Sequence, residues 1–458
     1  MKIKTIIFII LALLVTSAAA QEERKPESLS LRQCLSEGLK SSREIINLRL
    51  ETEKSTYKIK ETQSQLLPQV QAFGTYDNYL KIPVQMVPGE IFGQPGTTVP
   101  ISLYVQHNVT GGLKAAQMLY NQTIFTAMSL ANKAKEISEI TYRKAGDDLI
   151  YEVSSLFFLI KLTDGQAGIY RGNIERLNQL LKVTQSQHAA GLVREVDIDR
   201  IKINLENLGN EAKNLDILQS KQLEMLFYTI GLHKVSKNAY QTVNITLSDS
   251  LGMPLLSNYS IPEKLNDLSE HNEMQLLAKR LEMVTLNRKL AASGFYPTLS
   301  IYGQYFYQGQ REKFDFFSAG QNKWSDVGVI GLSLSIPVFD GLQKNAQINQ
   351  AEVDYLEATN DYEFLARLLN LEYNNAVKKY FNSKDAAERQ KDNVKLAAKV
   401  YSQTLLQYRQ GVASLSDLLE IENSSSSAQL SLMNALYQLR ISELDILKAT
   451  GKLQTILN

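Results

Sequence analysis

Thiols are nearly absent from this chain. Cys34 is the single cysteine in 458 residues, so no internal disulfide forms and the folded state depends on burial or on assembly. Net charge is missing too: 49 basic residues against 48 acidic ones leave +1, spread along the chain. That balance removes the electrostatic footprint of a nucleic-acid binder. Histidine is scarce, and His107, His188, His233 and His271 fall on different segments without metal-ligand spacing. No glycine-rich phosphate loop occurs, and the serines at 424–427 lie in a helical seam where small residues permit close packing. No nucleophile has a base beside it, so neither an enzyme nor a cofactor or metal site is expected. After the first twenty residues no apolar run is long enough for a transmembrane helix. Proline is absent from Gln122 until Pro254, and again from Gly341 to the end. Those two gaps leave room for very long helices.

The N-terminus carries Lys2 and Lys4, an apolar stretch from Ile6 to Val15, and Ala18-Ala19-Ala20 before Gln21. This is the plan of a cleavable secretory signal, and residues 1–20 are set aside from the fold. A membrane anchor needs about 20 apolar residues, roughly twice what is present. Cys34 follows Leu31-Arg32-Gln33 instead of standing at the cleavage point, so a lipobox is absent and the residue reads as a buried helix cysteine.

What remains says nearly the same thing twice. Gln65-Leu66-Leu67-Pro68 returns as Gly294-Phe295-Tyr296-Pro297, and the Ala190–Asp197 segment returns as Gln410–Asp417, an internal repeat of about 220 residues. The first unit opens with a helix from about Leu29 to Leu66, stopped by Pro68. A strand over Val70–Leu80 follows, and then a stretch with Pro83, Pro88, Gly89, Gly93, Pro95, Gly96 and Pro100 reads as a long irregular loop. From Val105 the residues alternate, with Val105, His107, Val109, Gly111, Leu113 and Ala115 on one side and Gln106, Asn108, Thr110 and Lys114 on the other. In the second unit Leu299, Ile301, Tyr305 and Tyr307 alternate with Ser300, Gln304 and Gln308, and Ile330, Leu332 and Leu334 with Gly331, Ser333 and Ser335. The aromatics Phe73, Tyr76, Tyr79, Tyr302, Tyr305, Phe306 and Tyr307 fit either a membrane-interface girdle or strand packing. Phe314, Phe316, Phe317 and Trp324 fall in the second outer loop.

Matching Asn121 with Asp340 keeps the two long helices equal. A helix over 122–190 would be ~69 residues and roughly 100 Å long. It carries a heptad seam through Leu149, Val153, Leu156, Ile160, Thr163, Ala167, Tyr170, Ile174, Leu177 and Leu181. Gly191 breaks it, and Ile198, Ile201, Leu205, Leu208, Ala212 and Leu215 form the return seam of an antiparallel hairpin. The second hairpin turns at Gly411 and returns along Leu418, Ile421, Ser425, Ala428, Leu432, Ala435 and Leu439, while its outgoing arm is less regular, with Lys384 and Lys391 at seam positions. The resulting organisation is a signal (1–20), a first repeat (21–230), a connecting belt (231–262) and a second repeat (263–458).

Four strands per chain, each with one apolar and one polar face, cannot close a barrel alone. With the helix ending in Leu-Leu-Pro, the turn Pro337-Val338-Phe339-Asp340-Gly341 and the tip Tyr408-x-x-Gly411, the chain resembles the TolC-like outer-membrane efflux and secretion channels over essentially its whole mature length. The resemblance implies a mainly α fold with a membrane β-barrel portion, a homotrimer whose twelve strands sit in outer-membrane lipid, and a helical coiled-coil tunnel. It also implies two partners, a periplasmic adaptor protein and an inner-membrane pump. By the same resemblance Asp417 and Glu420 line the periplasmic constriction, Tyr408 holds the inner hairpin shut, and Asp197 and Arg200 take the corresponding place on the outer hairpin. Gly191, Leu192, Gly411 and Val412 mark the tips that meet the adaptor. Ala413 stands where the best-known members carry an arginine. The acids also suit a plainer role, since carboxylates near a helix N-terminus favourably meet the macrodipole. A soluble periplasmic coiled-coil adaptor or scaffold is the competing class, set apart by its extra β-rich domains.

Overall fold

The computed structural model describes residues 28–232, 246–252, 254–256, 259–263, 265, 268–318 and 324–457. The expected signal, His233 and parts of the belt lie outside the described residues. In chain order the elements are β1 (Ser28–Leu29), α1 (Leu31–Ser41), α2 (Arg43–Ser64), β2 (Gln69–Asn78), β3 (Gln85–Pro88), β4 (Thr98–Ile101), β5 (His107–Asn121), α3 (Gln122–Ala189), α4 (Glu195–Thr229), β6 (Thr246–Leu247), α5 (Asn272–Ser293), β7 (Thr298–Arg311), β8 (Trp324–Ser335), α6 (Gln343–Arg409) and α7 (Leu415–Ala449). Among the described residues no helix is long and apolar enough to cross a membrane.

Three local expectations need correction. The single helix from Leu29 to Leu66 is broken at Ser42, which turns to ψ 130° between α1 and α2. Gly231, at φ +75°, packs so closely on the Ser41 carbonyl that a Cβ there would collide with it, and a continuous helix would leave no space for that approach. The loop after β2 is not wholly irregular, because β3 and β4 pair antiparallel with Val87 opposite Val99. The outgoing arm of the second hairpin does have a regular seam, but it runs through Tyr373, Ala376, Tyr380, Ser383, Ala387, Gln390, Val394, Ala397, Tyr401, Thr404 and Tyr408, none of them fully exposed. Lys384 and Lys391 are exposed beside it. Small and aromatic residues fill this 3–4 spacing, which a search for Leu, Ile and Val passes over.

The two long helices start alike. Asn121 Oδ1 accepts from the Thr123 and Ile124 N–H groups at 2.9 and 3.3 Å, and Asp340 Oδ2 accepts from the Lys344 N–H at 3.1 Å. Two residues matched in sequence thus do the same capping work.

The chain forms two compact units, each drawing on both repeats. One comprises Met1–Arg49, Thr141–Met274 and Leu365–Asn458, the other Leu50–Ile140 and Gln275–Phe364. The first is helical, with a core of Leu31, Leu35, Phe157, Leu226, Tyr373 and Leu444 among others. The belt is strapped across this core: β1 pairs parallel with β6, Asp249 Oδ2 accepts from the Leu31 N–H at 2.8 Å, and Glu443 Oε2 accepts from the Leu255 N–H at 3.0 Å. Cys34 is fully buried here, and burial, then the charge of Asp249, pushes its thiol up to about 12.

The second unit holds, besides the β3–β4 pair, a four-stranded antiparallel sheet in the order β2-β5-β7-β8, which leaves β2 and β8 as edges. Its register sets two faces of opposite character. Val70, Tyr76, Val109, Leu113, Leu299, Ile301, Tyr305, Ile330, Leu332 and Leu334 share one face, whereas Gln71, Thr75, Asn108, Thr110, Ser300, Gln304, Gln308 and Ser333 share the other. The apolar face is bare: Ile330 is 80% exposed and Leu332 66%. Among the aromatics, Tyr76, Tyr305 and Tyr307 lie on the apolar face. Phe73, Tyr302 and Phe306 lie on the polar one, where Phe73 and Phe306 pack at 6.2 Å over Gly112. Phe316 is buried against Phe314 and Trp324 in the second loop. Lys133, Glu136, Lys279 and Glu282 tie α3 to α5 through alternating ion pairs of 2.8–3.1 Å.

Candidate functional site at the hairpin tips

Both tips turn through a left-handed glycine, Gly191 at φ +72° and Gly411 at φ +76°. The next N–H groups fold back onto the ending helices, Leu192 to the Gln187 carbonyl and Val412 to the Gln407 carbonyl, each at 2.9 Å. This satisfies carbonyls that the helix ends would otherwise orphan. Leu192 and Val412 are left 74% and 75% exposed, so each tip presents one bare aliphatic side chain.

The two return helices start differently. Helix α7 begins with a capping box in which Ser414 Oγ accepts from the Asp417 N–H at 3.1 Å while Asp417 Oδ2 accepts from the Ser414 N–H at 3.0 Å. Those hydrogen bonds hold the Asp417 carboxyl below its ordinary value of 3.8. Helix α4 has Arg194 at the same place, without a side-chain cap, and Asp197 lies 3.8 Å from the Arg194 guanidinium. Glu420, one turn on from Asp417, is exposed and makes no cap. It lines a groove of about 830 Å³ between α6 and α7, together with Gln390, Asn393, Ser416, Asn423 and Ser427.

Of the residues singled out from sequence, the fold brings some together and separates others. Arg200 Nη1 donates to Ser416 Oγ at 2.8 Å, joining the start of α4 to the start of α7. Tyr408 is buried in an apolar layer with Leu177, Ile201, Leu415, Leu418 and Leu419, and its hydroxyl lies 3.4 Å from Thr184 Oγ1 on α3. Neither Asp197 nor Asp417 reaches it.

Sequence reasoning missed the polar layer that adjoins this apolar one. Asn173, Glu422 and Ser426 are all more than nine-tenths buried. Asn173 Nδ2 donates to Ser426 Oγ at 2.5 Å, and Arg176 donates to Glu422 Oε1 through Nε at 3.0 Å and Nη2 at 2.9 Å. Arg176 also bonds Asn173 and sits 5.9 Å from the Tyr401 ring centroid. Burial, then the negative charge of Glu422, holds the Tyr401 hydroxyl above its ordinary value of 10. The available signal was positional: Asn173 and Arg176 fall one turn before the apolar Leu177 and Leu180, where a seam should continue.

Among the described residues no cluster of His, Cys, Asp or Glu is arranged to hold a metal. What the site offers is mechanical: two hairpin tips joined by a few polar ties around an apolar layer.

A duplicated helix, strand pair and long hairpin, with a sheet bare of cover on its apolar face, is the plan of an outer-membrane channel protomer. The comparisons agree. Residues 266–452 match the family described as outer membrane efflux protein. The outer membrane protein TolC of Escherichia coli K12 is 24% identical over 378 residues, covering 76% of this chain and 71% of that relative. Nodulation protein T of Rhizobium leguminosarum bv. viciae is 25% identical over 301 residues, covering 64% and 58% respectively. Among solved structures, the Campylobacter jejuni CmeC outer membrane channel superposes with a TM-score of 0.72 at 16% identity, covering 94% of this chain and 90% of that one. The Neisseria gonorrhoeae MtrE outer membrane channel gives 0.71 at 15%, covering 92% and 88%. The chain is thus similar to TolC-like outer-membrane efflux channel proteins, in sequence over residues 266–452 and in fold over nearly its whole described length.

Proposed function

We propose that the chain is the outer-membrane exit duct of a tripartite efflux or type I secretion system, passing substrates from an inner-membrane pump across the periplasm and outer membrane. The observation that carries this reading is the two-faced sheet with two unpaired edges. An exposed row of N–H and C=O groups is intolerable in lipid, so β2 of one copy meets β8 of the next. A homotrimer then closes twelve strands, with the Ile330, Leu332 and Leu334 face toward lipid and the Gln304, Gln308 and Ser333 face toward a water-filled lumen. The two repeats (21–230 and 263–458) each contribute one strand pair and one hairpin, linked by the belt (231–262).

The hairpin tips form the periplasmic gate. Arg200 with Ser416 and the Tyr408 layer hold it shut, Asp197 steadies the start of α4, and Asp417 fixes the start of α7. Glu420 supplies charge to the opening, where a ring of acids narrows the pore and favours cations. Gly191, Leu192, Gly411 and Val412 form the surface offered to a periplasmic adaptor.

The test is the state of the chain in membrane fractions. Unboiled samples should run as a compact oligomer of about three chain masses that collapses to one on boiling, as closed barrels resist detergent. A soluble monomer released with the periplasm would overturn the reading.

A further inference from the structure

The polar layer of Asn173, Arg176, Tyr401, Glu422 and Ser426 has no part in capping, turning or the bare tip surface. It joins three helices through one guanidinium: Arg176 on α3 meets Glu422 on α7 by two N–H donors and the ring of Tyr401 on α6. One residue of the first hairpin is therefore tied to both arms of the second. Helix α7 is unevenly held. Its Glu422 and Ser426 face is buried against α3, whereas its Glu420, Asn423 and Ser427 face borders the open polar groove beside α6.

We propose that Arg176 and Glu422 are the positioning residues that set the resting place of the second hairpin, so that their ion pair, more than the tip residues, determines how readily the gate opens. The inference rests on the channel reading above.

The physical basis is the asymmetry of a buried charge. Glu422 is 4% exposed, and Oε2 of its carboxylate already lacks a hydrogen-bond partner. Moving α7 away from α3 leaves that carboxylate without its counter-ion before water can reach it, a step that costs far more than the pair gains by forming. The contact therefore adds little to folding stability but penalises the separated arrangement, and so weights the equilibrium toward the closed one. Arg176 is about a third exposed, so its own desolvation is small and the guanidinium side of the pair meets solvent while the Glu422 carboxylate does not. The pair is a catch that can be released, unlike the sealed Arg440–Glu443 pair at the belt, where both side chains are under 5% exposed.

Glu422→Gln keeps the shape of the side chain and removes its charge, while Arg176→Met keeps the stem and removes the guanidinium. In planar bilayers each variant should raise the open-to-closed ratio of the purified full-length channel by about tenfold, the order expected for a partly solvated buried pair. The charge-swapped double variant, Arg176→Glu with Glu422→Arg, should return at least half of that change, which a purely structural role would not do. Every variant is first checked for wild-type gel mobility before boiling. Should Glu422→Gln misassemble, Arg176→Met alone carries the test. Unchanged gating in assembled single variants, or a double variant no better than the singles, would overturn the catch. A wild-type protein without any channel activity would overturn the channel reading itself, and the two failures are thus distinct.

Discussion

Asp417 and Glu420 sit three residues apart on the same helix, yet their surroundings give them different work. The Asp417 carboxylate is occupied by the Ser414 N–H, whereas Glu420 faces an open groove. Glu420→Ala should therefore raise single-channel conductance, and Asp417→Ala should leave conductance nearer to wild type while loosening the first turn of α7. Loss of such a cap costs about 1 kcal/mol, which hydrogen exchange at the Asp417 and Leu418 amides would register. The sign with pH follows from linkage. Because the folded-state value of Asp417 is depressed, its stabilisation is fully present above the ordinary value of 3.8 and is lost as pH falls through the lower folded value. Protection of those amides relative to the unfolded chain should fall only in that acid window, and an equal loss of protection at neutral pH would contradict the capping role. At this scale the sequence exposed the acids but not their partners. Arg176 and Glu422 lie almost 250 positions apart, and nothing local marks them as partners.

At the scale of elements, length came from the absence of proline and direction from two glycines. Gly191 and Gly411 both adopt positive φ, so Gly411→Ala should destabilise the second tip by roughly 1–2 kcal/mol, read as a lowered thermal midpoint for the tip amides. An unchanged midpoint would show that the turn relaxes to another form. The seams were legible wherever branched aliphatics carried them, as at Ile198 and Ile201, both buried. They were not legible along α6, because Tyr, Ala, Ser and Gln occupy the 3–4 spacing there and Leu396 and Leu406 point outward instead. The break at Ser42 was also beyond sequence: the residue that packs against the Ser41 carbonyl there, Gly231, lies almost 190 positions away.

At the scale of the whole molecule, strand alternation specifies a wall, since a one-residue slip would turn every side chain to the other face. Leu332 and Ser333 are neighbours on opposite faces of β8. Leu332→Arg should cost about 2–4 kcal/mol at mid-membrane depth and abolish the heat-modifiable oligomer. Ser333→Arg should preserve the oligomer and lower cation conductance. Equal loss of assembly in both variants would mean that the two faces do not meet different solvents.

Taken by itself, the sequence determined the repeat, the strand faces, the long helices and the glycine turns, because each of these depends on neighbours within a few residues or on a strict period. Only the tertiary structure decided the rest: that Asp417 is a cap, that Phe73 and Phe306 share the polar face, that Glu443 grips the belt, and that one arginine ties three helices together. Those facts depend on which surfaces meet across hundreds of positions. Periodicity fixes the face a residue occupies, and only packing decides what that face finds.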